Sequence, residues 1–173
     1  MFIAARCSIE VQAPTHETGG QDGFVKINSD TVWKSSPSRR GATIHVVDAI
    51  GCSIEESRTF DTHKSVNGSN ELSTYLRQVS HGSIIVIVSA DEPTHKNLKN
   101  ALPALLHLGV DVSDVKYKGA FAFVAQQGFP IKTMGRKSHN GKFSPRIAVN
   151  VAGISCGRNY SRRCVEIFAA ATL

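Results

Sequence analysis

Ser83-Ile84-Ile85-Val86-Ile87-Val88-Ser89-Ala90 runs directly into Asp91-Glu92-Pro93-Thr94. An almost wholly apolar strand here delivers an acidic pair to the mouth of a helix. The helix is marked by Leu98, Ala101, Leu102, Leu105 and Leu106, which fall at i, i+3, i+4, i+7 and i+8 as one continuous face, with Gly109 placed to stop it. Two readings of Asp91 stand side by side: a cap for the helix beginning near Pro93, or a carboxylate that serves a ligand.

Outward from that junction, 173 residues with 41% hydrophobic content suffice for one good core, so a single domain is expected. Twenty Lys and Arg against 14 Asp and Glu give a net charge of +6. Such a balance suits nucleic acid, an anionic membrane or an acidic glycan, and it equally suits a plain basic surface that keeps the protein soluble. No stretch approaches the roughly 20 apolar residues of a membrane span, so no membrane insertion is expected. Met1 to Val11 is interrupted by Arg6 and Glu10 and shows no apolar run of signal-peptide length.

Cys7, Cys52, Cys156 and Cys164 are too far apart for a CxxC metal site. Two disulfides in any of three pairings, or free buried thiols, are compatible with the count. Cys156 and Cys164, which flank Gly157-Arg158-Asn159-Tyr160, are the nearest pair in sequence and the first expectation for a bridge. Asn67-Gly68-Ser69 and Asn159-Tyr160-Ser161 are glycosylation acceptors if the chain is secretory.

Residues 12 to 23 read as loop. Phe24 to Asn28 alternates like a half-buried strand, with Val32-Trp33-Lys34 as its hairpin partner. After the polar stretch Ser35 to Arg39 comes a central strand, Arg40 to Asp48, and then Ile54 to Thr62. Asn70 is placed to cap a helix whose stripe is Leu72, Tyr75, Leu76 and Val79, ending near His81-Gly82. Val115 to Val124 reads as one or two strands and Ile147 to Ile154 as the last. Between them, Gln126 to Arg146 carries Lys132, Arg136, Lys137, Lys142 and Arg146 among Gly, Ser and Asn, which predicts a basic loop. Several strands precede the first helix, so an α+β fold with helices laid on antiparallel sheets fits better than a doubly wound one.

No Gly-rich phosphate loop, Gly-x-Ser-x-Gly elbow or His-Glu-x-x-His helix is present, and the histidines are scattered. The expectation is a protein that is not an enzyme. Cys-His nucleophilic catalysis is the alternative, and it predicts turnover that a thiol alkylator abolishes.

Five segments in order, Arg40 to Val47, Arg58 to Thr62, Gly82 to Glu92, Leu105 to Gly109 and Phe121 to Gly128, resemble the GG domain, the ILEI/FAM3-like module. The resemblance covers residues 24–156, leaving 1–23 as an N-terminal segment and 157–173 as a C-terminal extension. It implies two antiparallel β-sheets packed as a sandwich with flanking α-helices, an extracellular or lumenal setting, and no catalytic centre. One branch of that family is cytokine-like, and the stem domain of protein O-mannose N-acetylglucosaminyltransferase acts as a lectin. By the same resemblance the sugar site falls on Arg40, Asp91 and Lys118. Lys118 stands where the pattern has Arg and so lacks its planar fork. Phe121 stands where Trp is common, as a face for a pyranose ring.

In such a site Asp91 accepts from two vicinal hydroxyls while Arg40 and Lys118 donate to ring or acetamide oxygens. The expected function is a carbohydrate-binding protein for terminal N-acetylglucosamine or galactose-type sugars on glycoproteins or cell surfaces. A cytokine-like ligand acting through a protein receptor is the alternative. Nucleic acid is not the expected partner, no cofactor is implied, and one Asp-Glu pair offers too few oxygens for calcium. Single sugar sites are weak, so a homo-oligomer that presents several is expected. Other roles stay open: a salt bridge from Arg40 to Asp91 or Asp61, an exposed strand lysine at Lys118, and either stacking or core packing for Trp33.

Overall fold

In the computed structural model, which describes residues 5–15, 21–48, 51–90, 93, 95–153 and 165–169, ten strands form two five-stranded antiparallel sheets. The first sheet holds β1 (Ala5–Gln12), β2 (Phe24–Ile27), β3 (Asp30–Lys34), β9 (Arg146–Gly153) and β10 (Val165–Ala169), in the order β10-β9-β1-β2-β3. In the second, β4 (Ala42–Asp48), β5 (Ser53–Phe60), β6 (Ile84–Ser89), β7 (Ala120–Gln126) and β8 (Met134–Ser138) lie in the order β5-β4-β6-β7-β8. The chain is mostly β. Its helices are α1 (Val66–Gln78), α2 (His95–Leu98) and α3 (Leu102–His107), plus one 3-10 turn at Pro130–Lys132.

The uninterrupted apolar run at 84–88 is explained by burial on both faces of the second sheet. Successive side chains of a strand point to opposite faces. Ile84, Val86 and Val88 therefore join Ala120, Ala122 and Val124 in a core shared with Ile9, Val11, Val25, Trp33 and Val149 of the first sheet. Ile85 and Ile87, with Phe121, Phe123, Ile44 and Val46, form the opposite core against Leu72, Leu76, Leu98 and Leu105 of the helices. One core lies between the sheets and the other lies under the helices.

Both flanks of the 24–156 segment contribute strands to this unit. β1 lies inside the first sheet between β9 and β2, with Ile9 opposite both Ile27 and Val149, and β10 pairs with β9 at its edge. The β2–β3 hairpin turns at Asn28 and Ser29, both with positive φ, as a type I′ turn requires.

Local chemistry moves several predicted boundaries. Helix α1 starts four residues ahead of Asn70, because Ser65 is the N-cap and its hydroxyl accepts from the Gly68 N–H at 3.3 Å. The Asn70 side chain instead accepts from Asn100 Nδ2 at 3.1 Å, tying α1 to the turn between α2 and α3. The continuous helix expected over 98–106 is two short ones: Pro103 has no N–H to donate and is tolerated only in a first turn, where α3 places it. Val115 to Gly119 is turn rather than strand. The basic stretch expected to be a loop contains the 3-10 turn and β8, an edge strand paired Ala120↔Ser138 through Val124↔Met134.

Of the three cysteine pairings, the described residues contain Cys7–Cys52, with Cα atoms 5.5 Å apart. This bridge joins β1 of the first sheet to the β4–β5 turn of the second. Cys156 and Cys164 lie outside the described residues. Among the described residues no helix is long and apolar enough to cross a membrane.

Candidate functional site

Antiparallel pairing brings three strand ends together at one edge of the second sheet. Ala42 at the start of β4 faces Ser89 at the end of β6, and the Ala90 N–H donates to Gly41 O at 2.8 Å. On the other side Val88 pairs with Ala122, and the Phe121 N–H donates to Ser89 Oγ at 2.9 Å. Arg40 precedes β4 and Lys118 lies in the turn two residues before β7, so the two stand ahead of the strands that flank the exit of β6 on either side. β4 and β7 themselves stand two strand spacings apart, about 10 Å. Asp91 follows Ala90 in the chain and lies outside the described residues.

Arg40 is half-buried, and among the described residues it has no ion-pair partner. The alternative partner Asp61 is engaged locally: its Oδ1 accepts from the N–H groups of His63 and Lys64 at 3.1 and 3.0 Å. Lys118 is exposed, with φ of 65° and its ammonium 5.8 Å from the centroid of the Tyr117 ring. The β8–β9 connection closes over the same end, since the Lys116 N–H donates to His139 O at 3.1 Å and the Gly141 Cα packs on Lys118 O. Lys137, at the end of β8, bonds Asp111 O at 3.0 Å and pairs with Asp114 Oδ1 at 2.5 Å. That ammonium holds the Asp114 carboxyl below its ordinary pKa, and the Ser113 hydroxyl and N–H do the same for Asp111.

Phe121 does not meet the expectation of an exposed stacking face. It is 0% exposed, because alternation along β7 turns it with Phe123 into the core under the helices. Trp33 is also core, 8% exposed and edge-on to the His45 ring at 5.6 Å between centroids. Tyr117, next to Lys118, is an aromatic ring that solvent reaches, 53% exposed. Its adjacency to Lys118 was the available sequence signal. Two clefts lie toward the opposite end of the sheet. One of about 310 Å³ is lined by Leu76, Arg77, Pro103 and Gln127, and one of about 330 Å³ by Glu55, Arg58, Tyr75 and Ser83.

Beneath the site, on the face of β4 turned toward the first sheet, His45 is fully buried and its Nδ1 bonds Ser57 Oγ. Burial first, and the charge of Arg39 second, push its pKa from 6.5 to about 4. The unfolded chain thus binds a proton at a pH where the folded chain does not. His45 is favourable to folding above pH 6.5, and that contribution is lost as pH falls toward 4, about 3 kcal/mol over the window. Urea unfolding at pH 7 and pH 4.5 should show a loss in wild type that His45→Gln largely lacks; an equal loss in both would place the acid sensitivity elsewhere.

Two antiparallel sheets joined by the Cys7–Cys52 disulfide define a small β-rich module. The family model described as interleukin-like EMT inducer matches residues 40–129, from the arginine at the site to the end of the β7 turn, and the chain belongs to this family. A protein of Danio rerio named cell surface hyaluronidase is 33% identical over 92 residues, 51% of this chain. The chain spans about 7% of that relative's length.

Proposed function

We propose that this protein is a non-enzymatic glycan-binding module. It takes a terminal N-acetylglucosamine or galactose-type sugar at the end of the second sheet, with Arg40, Asp91 and Lys118 as the residues proposed to hold it. The observation that carries the reading is the pair of cations flanking the β6 exit, Arg40 without an acidic partner among the described residues and Lys118 exposed to solvent. In this reading guanidinium and ammonium donate to ring and acetamide oxygens, and the Asp91 carboxylate accepts from vicinal hydroxyls. Tyr117 takes the role of ring platform that Phe121, being buried, does not fill. The name of the zebrafish relative, a hyaluronidase of the cell surface, also belongs to carbohydrate chemistry.

The disulfide suits an oxidising compartment, and the proposed setting is extracellular or lumenal. Sugar binding in this reading needs no metal and is insensitive to chelators. Self-association would add avidity to a weak single site. A cytokine-like ligand is the second reading. Ile131 at 94% and Phe143 at 55% exposure, of the kind a protein partner covers, favour it.

A glycan array with wild type, Arg40→Ala and Asp91→Ala tests the first reading. Wild type should retain terminal N-acetylglucosamine or galactose structures, and each variant should lose about tenfold or more, the equivalent of one charge-assisted hydrogen bond. A wild type that binds no glycan, or folded variants that bind as well as wild type, would end it.

A further inference from the structure

We propose that β5 is a self-pairing edge: two copies of this chain add β5 to β5 antiparallel across a two-fold axis at Ser57 and join their second sheets into one continuous sheet. The proposal does not depend on the glycan-binding reading. β5 ends its sheet, hydrogen-bonded to β4. Its eight residues make it the longest of the four edge strands, the other three having five each. Six of the eight are exposed, and neither proline nor lysine, residues that guard an open edge, stands among them.

The charges along β5 select a second copy as the occupant. In an antiparallel pair about a two-fold axis, one residue faces its own copy and the residues to either side of it face each other. The residues nearest the middle of β5 are Glu56 and Ser57. Centring on Glu56 sets two carboxylates against each other. Centring on Ser57 sets Glu56 opposite Arg58 twice, and opposite charges across a pair of strands stabilise it where like charges do the reverse. Both side chains are placed for this: Arg58 Nε donates to Glu56 Oε1 at 2.7 Å on one face of the strand, and the two are 58% and 44% exposed. Covering the edge orphans neither hydroxyl near its centre, since Ser57 Oγ already bonds His45 Nδ1 and Thr59 Oγ1 bonds Thr43 Oγ1 at 3.0 Å within the sheet. The register irregularity between Val46 and Val47 falls at Glu55 and leaves Glu56 to Phe60 regular. β8 lacks this complementarity, because its middle residue is Arg136, which would face its own copy. β3 would set Asp30 against Lys34, over a shorter strand of five residues.

A strand pair alone is a small interface, so the dimer is weak and concentration-dependent. Sedimentation velocity on the full chain from about 5 to about 500 µM should show wild type passing from monomer to dimer. Arg58→Glu and Glu56→Arg each set like charges against each other and should each weaken dimerisation by about tenfold or more. The charge swap Glu56→Arg/Arg58→Glu should restore it to within about threefold of wild type. Arg58 also lies over the Tyr75 ring, 5.0 Å from its centroid, so Arg58→Glu alone could disturb the fold; Glu56→Arg keeps that contact and carries the same repulsion. Asp30→Lys should leave dimerisation unchanged. Wild type that stays monomeric at the highest concentration, a folded reversal that dimerises as wild type does, or no recovery in the charge swap overturns the proposal. Loss of the dimer in Asp30→Lys assigns the contact to β3 and overturns it as well.

Discussion

Gly41→Ala is expected to destabilise the fold by about 3–5 kcal/mol, more than any single change at an exposed position of the site. Gly41 has φ of 89°, and a Cβ built on it would lie 2.0 Å from Phe60 O and 2.5 Å from Thr62 N. Left-handed backbone alone costs a residue with a Cβ about 1–2 kcal/mol. Here the colliding atoms are backbone of the β5 exit, which cannot rotate aside as a flexible side chain would. Relief requires the start of β4 to move away from β5, and that same peptide accepts the Ala90 N–H at 2.8 Å. The melting temperature should fall by about 10 °C, at about 2–4 °C per kcal/mol for a chain of this size. Arg40→Ala, one residue away, removes a half-buried side chain that has no ion pair among the described residues, and should melt within a few degrees of wild type. Equal melting of Gly41→Ala and wild type would mean that the close approach of β4 to the β5 exit does not hold in solution.

The contrast between those two neighbours shows which parts of the molecule were legible before any coordinates. The strand at 84–89 announced itself because both its faces are buried, and a run of Ile and Val has few other uses. β1 carries a clean alternation of Cys7, Ile9 and Val11 with Ser8, Glu10 and Gln12, yet its place between β9 and β2 depends on pairing across most of the chain. β8, Met134-Gly135-Arg136-Lys137-Ser138, has almost none of the composition of a strand. It is an edge, and an edge needs few apolar side chains. Pro103 split a helix whose periodicity was correct on either side of it.

Near the β6 exit, Arg40 lies just before β4 and Lys118 in the turn before β7 rather than on a strand. The aromatic was misplaced because β7 is apolar on both faces: when Ala120 to Ala125 are all buried, the pattern cannot say which face is which. Only the packing of Phe121 against the helices decides it. The ring next to Lys118 that is exposed is Tyr117.

Loss of the Cys7–Cys52 bridge is the second large effect. Nearness in the chain pointed to Cys156 and Cys164. That pair lies outside the described residues; the bridge within them spans 45 residues, because β1 and the β4–β5 turn belong to different sheets that meet across the central core. A closed loop of that length restricts the unfolded chain enough to contribute about 4 kcal/mol in the chain-entropy account. Cys7 is 2% exposed, so Cys7→Ala leaves a small apolar side chain in an apolar site and adds little cavity penalty of its own. Cys7→Ala/Cys52→Ala should therefore unfold in urea with stability lowered by about 2–5 kcal/mol while the folded sheets keep their secondary structure. Reductant should bring wild type down to the level of the double variant. Because Cys156 and Cys164 remain in that variant, any further response to reductant belongs to them, which separates the two pairs in one experiment. A double variant as stable as oxidised wild type would show that the two sheets are held by the core between them alone. In that case an oxidising compartment would no longer be needed to account for the fold, and the extracellular setting proposed for the glycan site would lose its structural support.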